Sequence, residues 1–132
     1  MDRLDVLCQH AADLGLDIEW TCDLPGDCHG YPEDDEQLVV MNYRCTVAQA
    51  ISALAHEIGH AVFGDRCSTE AVERRADEYG ASIIVTPGEY AAAEDLVGPH
   101  PGALARHLGV TRDLVLAWRR WWCRTGRLEQ AA

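Results

Sequence analysis

The chain has no lysine. All 11 of its basic residues are arginine, and they face 22 acidic residues, for a net charge of −11. A protein that binds nucleic acid or an anionic membrane through its whole surface does not carry that balance. Long apolar runs are also missing: none approaches the ~18 residues that would cross a bilayer. The opening Met1-Asp2-Arg3-Leu4-Asp5 has neither the basic start nor the apolar stretch of a secretory signal. A cytoplasmic location is the expectation. None of the six cysteines (Cys8, Cys22, Cys28, Cys45, Cys67, Cys123) forms a Cys-x-x-Cys pair, and their density is below that of a disulfide scaffold. In a reducing compartment they read as ordinary thiols. The alternatives are a second metal site from Cys22, Cys28 and His29, or a Cys22–Cys28 or Cys45–Cys67 disulfide. What remains is 132 residues, 48% hydrophobic and 25% charged. That is a globular chain of one-domain size, long enough to bury a core without covalent staples.

Local patterning predicts an α+β chain, mostly helical with a small sheet of about three strands. Leu4, Leu7, Ala11 and Leu14 recur at helical spacing, and Gly15 ends that helix. Leu16 to Trp20 alternates as a half-buried strand, and Thr21 to Gly30 is a loop around Pro25-Gly26. His29–Pro32 and Gln37–Asn42 are further strands, separated by the acidic turn Glu33-Asp34-Asp35-Glu36. Thr46-x-x-Gln49 is a capping box for a helix closed by Gly64, and Ser68 caps the next helix. Thr86-Pro87 starts a third, which runs to about Val97. The Gly98-Pro99-His100-Pro101-Gly102 segment is the best linker, giving expected units 1–98 and 99–132.

The chemical signal is His56-Glu57-Ile58-Gly59-His60. Histidines at i and i+4 stand one helical turn apart on one face, so both imidazoles can reach one Zn²⁺. Glu57, about a quarter turn away, can approach a water at that metal without ligating it, as a general base. Such a pattern arises by chance at roughly the 2% level in a chain of this composition. A catalytic zinc wants a third protein ligand. Glu73, on the next helix, is the candidate, and Glu70 competes for the role. Asp77, one turn beyond Glu73, suits the imidazole N–H of a ligand histidine. Arg74 and Arg75 read as solvated or paired with Glu70 and Glu78. No oxyanion stabiliser is readable; Tyr31, Tyr43, Tyr79, Tyr90 and His100 qualify by residue type only.

Together with Glu73-Arg74-Arg75-Ala76-Asp77-Glu78-Tyr79-Gly80-Ala81, the aliphatic run Ile83-Ile84-Val85 and Pro87, the His-Glu-x-x-His segment resembles the ImmA/IrrE family of zinc metallopeptidases over roughly residues 1–97. The resemblance implies a minimal zincin fold of gluzincin type, with His56, His60 and Glu73 as ligands and Glu57 catalytic. It further implies a protein substrate, a repressor of the helix-turn-helix type, in the setting of phages, mobile elements or stress responses. Two positions depart from the family pattern. Gly80 stands where alanine is usual, and the spacing from Ile83 to Pro87 is one residue longer than the commonest form.

The last 30 or so residues differ in character. From Gly102 onward, six arginines stand against Asp113 and Glu129, a net of +4, which leaves −15 for the rest. Leu104, Ala105, Leu108, Gly109, Val110, Val115 and Trp118 fit a helix-turn-helix unit. Arg106, Arg112, Arg119 and Arg120 are its candidate contacts to DNA or to a protein partner. Asp113 opposes phosphate, however, and Leu116 and Ala117 offer little to base edges. The sequence therefore favours a helical unit that packs on the body or docks a repressor over one that reads DNA. Trp118, Trp121 and Trp122 read as packing residues. Oligomeric state has no signature.

Overall fold

The computed structural model describes residues 2–33 and 37–126. Asp34, Asp35 and Glu36 of the expected acidic turn, and Arg127 and Glu129 of the basic tail, lie outside the described residues.

A capping box at Asp2 and Asp5 starts α1 (Arg3–Asp13), and Gly15 ends it at φ 74°. Three short strands follow: β1 (Asp17–Thr21), β2 (Gly30–Glu33) and β3 (Leu38–Asn42). The middle strand is β3, which pairs parallel with β1 and antiparallel with β2. Side chains alternate across a strand. Val39 and Met41 therefore enter the core with Ile18, while Val40 points the other way, in register with Glu19 and Tyr31. Asn42 is buried at the end of β3. It donates to the carbonyls of Pro25 and Cys28, which holds the loop ahead of β2.

The helices come next: α2 (Val47–Phe63), α3 (Glu70–Ile84), α4 (Pro87–Val97), α5 (Pro101–Leu108) and α6 (Arg112–Trp121), ending in a wide π-type turn, Trp122–Gly126. The fold is α+β, as the patterning predicts. Thr46 and Thr86 cap α2 and α4 with full capping boxes, and Gly64 and Gly109 close α2 and α5 in the left-handed region. One boundary differs. Thr69, not Ser68, caps α3, because the Ser68 hydroxyl is engaged 2.7 Å from Glu73 Oε1.

Ile51, Leu54, Ala55 and Ile58 form the buried stripe of α2. Burying a leucine or isoleucine is worth about 1.5–3 kcal/mol, so this stripe fixes the helix's rotation. It leaves His56 and His60 half-buried toward α3. The two helices cross very closely. A Cβ built on Gly59 would lie 2.8 Å from Ala76 Cα, and one on Gly80 would lie 2.6 Å from the Ala55 carbonyl oxygen. Glycine at both points lets backbone meet backbone.

Residues on both sides of position 98 share one core, in which Leu104, Leu114, Val115 and Trp118 join Leu54 and Ile84. Trp118 donates its indole N–H to the Val85 carbonyl at 2.8 Å and stacks on Tyr90. Arg3 ties four elements together. Its guanidinium donates to the carbonyls of Leu108 and Ile84 and pairs with Glu89 at 2.8 Å. Arg3→Ala leaves two backbone acceptors without their donor and should cost roughly 1–3 kcal/mol in urea denaturation. Burial pushes the Glu89 carboxyl up, but Arg3 and the Thr86 cap outweigh it and hold its pKa below 4.5. The stability from this carboxylate is therefore complete above the unfolded value and is lost as pH falls below about 4.5 through the depressed folded value. In Arg3→Ala that acid-side loss should be smaller.

Candidate metal centre

His56 and His60 project from the middle of α2, and Glu73 projects from the first turn of α3. The close crossing at Gly59 and Ala76 brings them together. His56 Nε2 lies 2.9 Å from His60 Nε2, and Glu73 Oε2 lies 2.8 Å from the first and 3.1 Å from the second. These three atoms form a triangle whose sides match the reach of one ion held at about 2.0–2.1 Å from each. Among the described residues, no other group of three or more histidine, cysteine or carboxylate side chains is placed to hold a metal.

The ring nitrogens on the far side argue the same way. His56 Nδ1 is 2.6 Å from Asp77 Oδ1, and His60 Nδ1 is 3.0 Å from Asp65 Oδ2. Each carboxylate holds a proton on the Nδ1 it faces, so in the neutral rings both Nε2 atoms are acceptors. Three acceptors then point at one spot with no hydrogen between them. A proton on His56 Nε2 can serve Glu73, but His60 Nε2 still faces acceptors. A cation at that spot satisfies all three at once, so the donor set fits zinc.

The charges are arranged accordingly. Burial pulls the His56 pKa down, but the Asp77 hydrogen bond and the charges of Asp77, Glu57 and Glu73 outweigh it and hold it above 6.5. Burial also pushes Glu73 up, against the Ser68 hydroxyl and the two histidines, which bring it below its usual value. Asp65 is lowered first by its His60 bond and then by Arg75, whose Nη2 lies 2.5 Å away. Arg75 itself lies over the Phe63 ring, 4.1 Å from its centroid.

Glu57 is 9% exposed, and its Oε2 is the only buried side-chain nitrogen or oxygen without a hydrogen-bond partner among the described residues. Burial is the main reason its pKa is raised; Glu73 adds to the rise, and the two histidines oppose it. A carboxylate held this way is poised to take up a proton.

Two clefts flank the trio. A larger one, about 1030 Å³, runs past Glu57, His60 and Glu73 between the α2–α3 turn and the strands, where Pro32, Leu38 and Val39 line it. A second, about 410 Å³, lies beyond His56 and Asp77, against α6. None of Tyr31, Tyr43, Tyr79, Tyr90 and His100 is among the residues lining either cleft.

The remaining sequence candidates divide. Glu70 is largely exposed and pairs with Arg74 within one helix face, away from the trio. The pairing expected for Arg75 is different: it binds Asp65, because Glu78 is taken by Arg124 at 2.7 Å with Arg120 nearby. Arg119 donates to the Tyr90 hydroxyl at 2.6 Å and to the Pro99 carbonyl, while Arg106 and Arg112 are exposed. The six cysteines are free thiols, as the sequence reading expects; Cys28 contacts the Gly30 carbonyl and Cys45 that of Asn42, and neither alternative disulfide is present. Asp65 was not singled out from the sequence. Its signal is positional: a carboxylate one residue past the helix-ending Gly64, within reach of the second motif histidine.

The fold and this cluster define an α+β protein with a two-histidine, one-glutamate cluster placed to hold a metal ion. A scan of protein families finds no match to the chain, and no curated protein matches it in sequence. In structure it is similar to a Mycobacterium tuberculosis transcriptional regulator, with a TM-score of 0.64 at 18% identity. The match covers 87% of this chain but 40% of that protein, so this chain spans well under half its length. The likeness is one of fold.

Proposed function

We propose that the chain is a zinc-dependent endopeptidase that cuts a regulatory protein, a repressor of the helix-turn-helix type. The observation that carries this reading is the convergence of His56, His60 and Glu73 on one point beside a buried, unpartnered Glu57 oxygen. When bound there, zinc supplies a Lewis acid and a water of lowered pKa. Glu57 takes the proton of the attacking water and returns it to the leaving amine, a task its raised pKa suits. Asp77 and Asp65 fix the two imidazoles in the tautomer and orientation the ligands need. The two clefts give an extended polypeptide room on both sides of the trio. The acidic body suits a substrate with a basic, DNA-binding surface.

The test is Glu57→Gln. It should bind one zinc per chain, like the wild type, and cut a purified helix-turn-helix repressor or a proteome-derived peptide library about 10²–10⁴-fold more slowly. Cleavage at the wild-type rate would refute the role of Glu57. Capture of intact repressor by the zinc-loaded wild type, with no products, would favour a non-cleaving binding module.

A second reading is a DNA-binding regulator. It is favoured by the name of the structural neighbour and by the α5–α6 unit with its left-handed turn at Gly109. Arg106 and Arg112 would carry it, since Arg119 and Arg120 are engaged within the chain. A gel shift that survives physiological salt and vanishes in Arg106→Ala/Arg112→Ala supports this reading; no shift even at low salt removes it.

A further inference from the structure

The three-stranded sheet ends at β1 on one side. At the two ends of that strand, the Asp17 N–H donates to the Gln37 carbonyl at 2.7 Å and the Thr21 carbonyl accepts from the Tyr43 N–H at 2.9 Å. Alternate residues of a strand face the same neighbour, so Glu19 joins these two in facing β3. The backbone N–H and C=O groups of Ile18 and Trp20 therefore point the other way. Among the described residues, no strand pairs with β1 on that side. An open row of donors and acceptors is a template for one more strand.

The side chains along this edge sort by face. Asp17 and Glu19 are exposed on the face away from the core. Trp20 lies on the core side at the end of the strand, 39% exposed, and its ring meets the exposed ring of Tyr43 edge-on at 6.4 Å. Charge around the edge has one sign: from Asp5 to Tyr43 the sequence carries ten carboxylates and no arginine. Two β1 edges laid together would set Glu19 of one copy against Glu19 or Asp17 of the other, and like charges directly opposite destabilise a sheet. The edge thus repels both its own copy and nucleic acid, while its backbone stays open to a strand of opposite charge.

We propose that β1 takes up a fourth strand from a protein partner, an extended segment in which basic and apolar residues alternate. Run antiparallel, such a segment exchanges hydrogen bonds with the backbone of Ile18 and of Trp20. Its residues opposite Asp17 and Glu19 then fall at the non-hydrogen-bonded positions, where side chains stand closest. Basic residues there meet both carboxylates, and the apolar residues between them lie on the Trp20 side. Main-chain bonds supply the affinity, and the alternate side chains supply the selection. None of Asp17, Ile18, Glu19, Trp20 and Thr21 lines either cleft beside the trio. Strand addition therefore uses no part of the metal centre, and either activity can fail without the other.

The test is amide hydrogen exchange of the isotope-labelled full chain, read by NMR with three peptides. The probe is acetyl-Arg-Val-Arg-Val-Arg-amide. One control, acetyl-Arg-Pro-Arg-Pro-Arg-amide, keeps the charge but cannot add to a ladder; the other, acetyl-Glu-Val-Glu-Val-Glu-amide, keeps the strand but reverses the charge. With the probe at about ten times its dissociation constant, exchange at Ile18 and Trp20 should slow about 10-fold, and neither control should do this. Asp17→Arg/Glu19→Arg should weaken the probe about 10-fold and admit the acidic peptide, and Glu19→Gln should weaken the probe about 2- to 5-fold. Both variants change exposed side chains only, and their urea midpoints should stay near that of the wild type. The slowing should be the same with zinc and with chelator. Several results would overturn the proposal: no slowing at Ile18 and Trp20, equal slowing by the proline peptide, or affinity indifferent to the two variants. So would slowing that appears only with zinc, which would put the peptide in the metal cleft. Slowing of the same amides with protein concentration alone would make a second copy the occupant and overturn it too.

Discussion

Zinc should raise the melting midpoint of the metal-free protein by roughly 10–20 °C, and excess chelator should remove the whole gain. A ligand held at a thousand times its dissociation constant stabilises a fold by about 4 kcal/mol, and a chain of this size gains several degrees per kcal/mol. The gain is expected to be large because the fold holds the donors together: His56, His60 and Glu73 place their ligand atoms within 3.1 Å of one another. Glu73→Ala removes one acceptor and should erase most of the zinc-dependent rise while leaving α3, whose cap is Thr69, in place. The gain should also depend on pH. Because the His56 pKa is held above its ordinary value, zinc competes with a proton for that ring as pH falls. Zinc affinity should therefore fall as pH drops through the raised value, measured by calorimetry at a series of pH values. A midpoint indifferent to zinc, chelator and Glu73→Ala would remove the metal centre and the peptidase reading with it.

Gly59→Ala should be the most damaging single methyl in the chain. The added carbon would sit 2.8 Å from Ala76 Cα, where carbon atoms need about 3.5–4.0 Å. What it meets is backbone, so no flexible side chain can swing aside. Helices α2 and α3 must separate by on the order of 1 Å, at the level of the trio. Overpacking in a rigid core costs about 1–3 kcal/mol and sometimes more; this site belongs at the upper end. Zinc affinity should fall as well, because Glu73 rides on the helix that moves. Gly64→Ala is the matched comparison. Its φ is 65°, with nothing within 4 Å of a new Cβ, so it carries only backbone strain of about 1–2 kcal/mol and should keep its metal. Urea denaturation and zinc titration of the pair would show it. A Gly59→Ala protein as stable and as metal-competent as the wild type would mean the crossing is looser than described.

Local rules made much of this legible. Thr46 with Gln49, Thr86 with Pro87 and Glu89, and the glycines at 15, 64 and 109 mark helix ends through their own hydrogen bonds and backbone freedom, which need no distant partner. The short apolar run Leu38-Val39-Val40-Met41 before Asn42 shows its strand through its own β-favouring residues. The trio was readable because i, i+4 spacing is itself geometry, and Glu73 followed from a short turn between two helices. What escaped depends on the other side of a contact. Ser68 has a capping residue's chemistry but is drawn off by Glu73. Arg75 has Glu78 three residues along its own helix, yet Arg124 occupies that carboxylate from 46 positions away. The wide turn at Trp122–Gly126 begins where Trp122 stacks on Trp118 and Trp121 meets Trp118 edge-on, contacts that the helical periodicity alone does not announce. Gly80, a mild departure from the family pattern in sequence, proves to be a point of backbone contact with Ala55.

The turn between α2 and α3 has one more consequence. Surface turns between helices are usually where a chain tolerates extra residues, grafted epitopes or a new pair of termini. This one does not have that licence. Asp65, with a side chain only 6% exposed, leans back onto His60 and is itself gripped by Arg75, while Ser68, three residues on, braces Glu73. The length of the turn is thus part of the site's dimensions. A tag, a cut point or a fluorescent label placed there would detune the histidine and the glutamate at once. The exposed end of α4, at Leu96 and Val97, is the better place to modify this protein.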